Sequence, residues 1–169
     1  MKPTVYWIDG PWPGKLAILA RPRGADWLDD EVIGWKKAGL DVVVSLLTPG
    51  EYSELDLNDE DEIVKRNGLT FVSFPIADYS VPTSPKVTRQ LVSKLEDWLF
   101  RGNNVGIHCR QGIGRSSLVA ACVLVTSGES PSRAFQQIET VRGLSVPDTP
   151  EQKEWVASFA RESLQDVRT

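Results

Sequence analysis

Two cysteines and one histidine are the whole supply of thiolate and imidazole ligands in these 169 residues, and Cys109, Cys122 and His108 are too few to close a zinc site. Long apolar runs are missing as well. The longest, Leu118 to Val125, falls far short of the roughly 20 residues that cross a bilayer, and the first residues lack a signal-peptide pattern. No membrane association is expected, and an intracellular, cytoplasmic setting is. Positive charge is scarce: 19 Lys and Arg against 23 Asp and Glu give a net charge of -4 and a pI near 5.1. That balance argues against nucleic acid as the ligand, which calls for a broad basic patch. There is no repeat and no low-complexity linker, and a hydrophobic content of 41% suits one domain with a real core over residues 1–169.

What the chain does have is His108-Cys109-Arg110-Gln111-Gly112-Ile113-Gly114-Arg115-Ser116. A buried strand at Val105 to Ile107 precedes this stretch and an apolar helix from Leu118 to Val125 follows it, so the loop joins a strand end to a helix start. An anion placed there meets unpaired backbone N–H groups and the positive end of the helix dipole. Gly112 and Gly114 let the chain curl without side-chain clashes. A thiol in that field, with an Arg nearby, is expected to be ionised at neutral pH, which makes Cys109 a nucleophile. Arg115 adds a planar fork able to hold two oxygens of a tetrahedral oxyanion.

His108-Cys109, five residues, then Arg115-Ser116 resembles the signature of the cysteine-dependent protein phosphatases. In that reading Arg110, Gln111, Gly112, Ile113, Gly114 and Arg115 form the phosphate-binding loop. Rhodanese-type sulfurtransferases use a similar loop with four intervening residues, so the gap of five here favours phosphate. No Lys lies inside the loop, which lowers the case for a phosphoinositide headgroup. Pro75-Ile76-Ala77-Asp78, Gly114 through Cys122, and Val141-Arg142-Gly143 extend the similarity, over residues 14–162, to the kinase-associated branch of the dual-specificity phosphatases. The resemblance does not bring that branch's kinase partner with it.

Transfer of a phosphoryl group to a thiolate needs a proton donor for the departing oxygen. Asp78, in a loop between the strand Leu69 to Phe74 and a helix, is the candidate, and its surroundings resemble the general-acid loop of dual-specificity phosphatases. An ordinary loop aspartate is the alternative. Asp148 is a weaker rival, and Asp56 to Glu62 read as a solvated helix start.

Related phosphatases carry a Gln near position 152 that orients water for the second step, but Thr149 and Gln152 also have the spacing of a helix capping box. Both readings stay open. Ser116 either donates to the Cys109 sulfur or is an ordinary first-turn serine. His108 is expected on the opposite strand face, bracing the loop through hydrogen bonds. Cys122 falls in the apolar helix and reads as core, with a redox role protecting Cys109 as the alternative.

Strands are expected at Val5 to Ile8, Leu16 to Leu19, Asp41 to Leu47 and Leu69 to Phe74. Helices are expected over Asp29 to Ala38, in an acidic segment running to Asn67-Gly68, and after Ser84-Pro85, Ser130-Pro131 and Thr149-Pro150. In the Ser84-Pro85 helix, Val87, Leu91, Leu95, Trp98 and Leu99 recur at core spacing. The alternation predicts an α/β fold with a central, mostly parallel sheet flanked by helices, and the resemblance implies a protein tyrosine phosphatase-like fold.

The expected activity is hydrolysis of phosphotyrosine, and of phosphoserine and phosphothreonine, through a cysteinyl-phosphate, with Asp78 reversing its role as base. The partner is a phosphorylated protein or peptide. No metal or organic cofactor is called for, because the loop supplies the positive potential. A phosphopeptide-binding module without turnover, a phosphoinositide phosphatase and a sulfurtransferase are the alternatives, and the sequence is silent on oligomeric state.

Overall fold

The computed structural model describes residues 2–168. Val5–Ile8 (β1) and Leu16–Leu19 (β2) form an antiparallel hairpin over the Pro-Gly turn between them. Leu28–Ala38 (α1) follows, with Asp29, Asp30 and Glu31 in its first turn and Lys36 and Lys37 in its last, an arrangement that opposes the helix dipole at both ends. Then come Val42–Ser45 (β3), Pro49–Glu54 (α2), Glu60–Arg66 (α3), Thr70–Ser73 (β4), Pro85–Phe100 (α4) and Val105–His108 (β5). Arg115–Thr126 (α5), Pro131–Arg142 (α6) and Pro150–Arg168 (α7) complete the chain. Ser84 and Ser130 cap α4 and α6 by accepting the Val87 and Arg133 N–H groups, each with a proline at the first helical position.

The sheet runs β1-β2-β5-β3-β4, with β1 antiparallel and every other neighbour parallel. Strands β2, β3 and β5 are buried on both faces, as parallel strands covered by two helical layers must be. Leu16, Ile18, Val44 and Ile107 face a core filled by α4, α5, α6 and α7. Their alternates Ala17, Leu19 and Val43 face a second core with Leu28, Val32 and Trp35 of α1 and Ile63 and Val64 of α3. Helix α5 is buried from Arg115 to Leu124, so the loop before it opens from the centre of the molecule.

The acidic segment is helical towards Asn67-Gly68 as expected, in α3, and α2 precedes it, opened by a capping box in which Thr48 accepts from the Glu51 N–H and Glu51 accepts from the Thr48 N–H. One expectation needs correcting. In α4, Val87 is exposed and Thr88 is buried in its place, because the inward face begins one residue later than the Val87 register implies.

Candidate active site

Cys109 leaves the carboxyl end of β5 with 2% of its surface exposed. The Gly112 N–H donates to its Sγ at 3.2 Å and the Ser116 hydroxyl at 2.7 Å, two hydrogen bonds that stabilise negative charge on sulfur. Gly112 holds φ at +71°, a conformation that costs glycine little and side chains much. Outside the loop, Arg142 stacks on the Tyr6 ring at 4.2 Å and donates to the carbonyls of Gly112 at 2.9 Å and Gln111 at 3.3 Å. Because a trans peptide sets its C=O and N–H in opposite directions, carbonyls pinned outward turn the Gly112 and Ile113 N–H groups inward. In the sequence Arg142 stands out only through the Val141-Arg142-Gly143 resemblance, which gives it no place beside the loop.

Arg115 is 1% exposed, and Glu51 determines its orientation. Nη1 and Nη2 donate to the two Glu51 carboxylate oxygens at 2.6 and 2.9 Å, and Nη1 also donates to the Ile76 carbonyl at 2.8 Å. Burial pushes the Glu51 carboxyl up, but hydrogen bonds from Arg115 and Thr48 outweigh it and hold the group below the usual carboxylate range. Burial opposes the Arg115 charge, and the Glu51 hydrogen bond with the fields of Cys109, Glu51 and Asp78 raises it further above its ordinary value. Among the described residues the Nε–H has no partner although it is buried. A buried donor left unpaired beside a thiol is a place for an oxyanion.

Asp78 lies 3.1 Å from Arg115 Nη2, and its Oδ1 also accepts the Tyr79 N–H at 3.0 Å. Ser116, Arg115 and Asp78 therefore surround the region of Cys109. Arg110, by contrast, turns its side chain away to Glu54 at 3.0 Å, which leaves its backbone as its part of the loop.

Gln152 is fully buried and forms the capping box: its N–H donates to Thr149 Oγ1 at 3.1 Å and its Oε1 accepts the Thr149 N–H at 3.2 Å. Oε1 also accepts the Asp148 N–H, while Nε2 donates to the Ser80 carbonyl at 2.9 Å. The amide thus ties the start of α7 to the loop that carries Asp78.

His108 packs at a tilt against Trp35 of the α1 core, ring centroids 5.9 Å apart, while Cys109 packs in the other core. Its Nε2 meets Glu60 Oε2 at 2.5 Å. The reading of Asp56 to Glu62 as wholly solvated is corrected here, since Glu60 is fully buried on this contact. No short-range pattern marked it, because the partner lies 48 residues away. Replacing Glu60 with Ala leaves the buried imidazole unpaired and is expected to lower stability in urea unfolding by about 1–3 kcal/mol. Asp61→Ala, which removes only an exposed pair with Lys65, is expected to stay within about 0.5 kcal/mol. Cys122 is fully buried in α5, and that burial pushes its thiol up, the state of an inert core cysteine.

A buried thiol on a strand-to-helix loop, a guanidinium with one donor unpaired among the described residues and a flanking carboxyl, all on this sheet, match the arrangement of the cysteine-dependent protein phosphatases. Residues 19–129 match the family model described as the polymorphic toxin system DSP-PTPase phosphatase, and the chain belongs to that family. It is also similar to the cyclin-dependent kinase inhibitor 3 of Rattus norvegicus, 29% identical over 126 residues, which is 73% of this chain. The matched region spans 59% of the length of that curated relative. Among solved structures, the kinase associated phosphatase with serine in place of its catalytic-site cysteine superposes with a TM-score of 0.89 at 22% identity, covering 97% of each chain. The active form of Tk-PTP gives 0.76 at 26% identity, covering 95% of this chain and 99% of its own. No helix among the described residues is long and apolar enough to cross a membrane.

Proposed function

We propose that the protein hydrolyses phosphotyrosine, and also phosphoserine and phosphothreonine, in phosphorylated proteins through a cysteinyl-phosphate on Cys109. The observation that carries this is the Cys109 sulfur with two donors aimed at it, next to the Arg115 Nε–H, which has no partner among the described residues. Cys109 attacks phosphorus in line with the leaving oxygen. Arg115 and the amides of residues 110–114 stabilise the equatorial oxygens, where charge grows in the transition state. Asp78 protonates the departing oxygen, and Ser116 supports the sulfur when it later leaves. Gln152 acts by positioning, since Oε1 already accepts two N–H groups. His108 supports the loop from the opposite face through Glu60. The fold likeness to a phosphatase whose cysteine is called catalytic supports the role given to Cys109. A nucleophilic thiol suits a reducing, cytoplasmic compartment.

The test is p-nitrophenyl phosphate under reducing agent, with vanadate as inhibitor and thiosulfate as the rival substrate. Turnover that vanadate blocks supports the reading. Phosphopeptide binding without turnover, or thiosulfate consumption, counts against it. Matched peptides carrying phosphotyrosine, phosphoserine or phosphothreonine test the specificity. Asp78→Ala is expected to slow alkyl phosphates by about 10²- to 10⁴-fold, the usual contribution of a positioned acid, and p-nitrophenyl phosphate much less, because a good leaving group needs little protonation. Equal losses on both substrates would remove Asp78 from the acid's role.

A further inference from the structure

Strands β2 and β5 are parallel, so the residues that follow Leu19 and those that follow His108 leave the sheet at the same end. There Tyr6, Arg21, Arg110, Gln111, Gly112 and Arg142 line an open cavity of about 230 Å³. Three of the lining side chains are guanidinium groups, and among the described residues none of the lining is acidic. The arginines are not equally committed. Arg110 meets Glu54 at 3.0 Å. Arg142 donates from Nε and Nη2 to the carbonyls of Gly112 and Gln111, and its Nη1 has no partner among the described residues. Arg21 is exposed and has neither a hydrogen bond nor an ion pair among the described residues. Like charges crowded on one cavity repel, and a bound anion relieves the repulsion while accepting from forks shaped for two oxygens. Only the thickness of the loop separates this cavity from the sulfur, since the Gly112 N–H points at Cys109 Sγ and the Gly112 carbonyl at Arg142.

We propose, resting on the phosphatase reading above, that this cavity is a specificity subsite for a second anionic group on the substrate, a carboxylate or phosphate two or three residues from the phosphorylated one. Arg21 and Arg142 Nη1 hold that group, and Arg110 stays with Glu54. Tyr6, 4.2 Å beneath the Arg142 guanidinium, keeps the fork in place. An extended peptide advances about 3.3–3.6 Å per residue, which carries the second group over the loop while the first sits on Cys109. The preferred substrates are therefore acidic phosphopeptides. Repulsion from a chain of net charge -4 works against such peptides at long range, so a preference for them arises at the cavity itself. The subsite touches none of the bonds that break, and its effect falls on KM.

Steady-state hydrolysis of three matched phosphotyrosine peptides tests the assignment: one with Gln on both flanks, one with Glu there, and one with non-hydrolysable phosphonate side chains there. Wild-type kcat/KM is expected to be about tenfold higher on the acidic peptides than on the Gln peptide, the low end for a hydrogen bond to a charged group, with the gain in KM. The Glu and phosphonate arms separate carboxylate from phosphate as the preferred group. In Arg21→Gln the ratio is expected to fall to within about twofold of one, in Arg21→Glu it drops below one, and Arg21→Lys lies between Arg21→Gln and wild type. High salt removes most of the wild-type preference. A wild-type ratio near one, a ratio that Arg21→Glu leaves unchanged, or a preference carried by kcat overturns the proposal. So does turnover of an inositol bisphosphate that depends on Arg21 when turnover of the peptides does not. Failure of the phosphatase reading looks different, since wild-type protein would then turn over none of the three peptides.

Discussion

Cys109→Ser is expected to abolish turnover while leaving the fold and phosphate binding in place. The exchange alters one atom among unchanged donors: the Gly112 N–H, the Ser116 hydroxyl and the Arg115 Nε–H remain. A serine hydroxyl, however, needs a base to become a nucleophile, and the obvious base is out of reach. His108 lies in the α1 core, held by Glu60 and Trp35. Losing a nucleophile that acts in concert with its partners costs on the order of 10⁶ in kcat. The measurement is p-nitrophenol release by the variant alongside calorimetric titration with phosphopeptide. Residual turnover above about one hundredth of wild type would mean that another group attacks phosphorus, since that is far less than loss of a nucleophile costs.

The second large effect belongs to Arg115. Arg115→Lys keeps a positive charge but loses the fork that binds Glu51 through two nitrogens and still leaves an N–H free. A fall of about 10³ in kcat/KM is expected, the scale of a lost transition-state donor. Arg115→Ala goes further, because Glu51 is then a nearly buried carboxylate without its cation, which costs about 3–5 kcal/mol of stability. Glu51→Gln separates the two contributions: it keeps the guanidinium and frees its orientation, so stability falls more than phosphate binding. The pH dependence has a definite sign. Glu51 has a folded pKa below its unfolded one, so its contribution is present above the ordinary carboxylate range and is lost as pH falls through the lowered value. Acid unfolding of Glu51→Gln is expected to lose that part of its pH dependence, which circular dichroism across an acid titration reads.

Much of this molecule is legible from local pattern. Serine before proline opens α4 and α6 where expected, and the β-branched run of β3 and the glycine-punctuated loop after β5 stand as read. Contacts between distant segments were not legible. Thr48 and Glu51 carry the capping-box spacing that marks α2, but nothing in that spacing says the same carboxylate reaches Arg115, 64 residues on. Glu60 looks like its acidic neighbours until the sheet brings His108 to it. Val87 departs from the expected core because helical spacing fixes a stripe without fixing where it stops. Gln152 has both readings open in the sequence, and its bonds to Thr149, Asp148 and Ser80 leave one amide N–H to spare among the described residues.

That amide has a consequence for how substrate enters. Its Nε2 holds the Ser80 carbonyl while Oε1 grips the Asp148 and Thr149 N–H groups, so the two rims of the entrance are stapled to one helix end. One side chain thereby couples the loop of Asp78 to the loop of Asp148, and neither can shift far without breaking a bond on which the other depends.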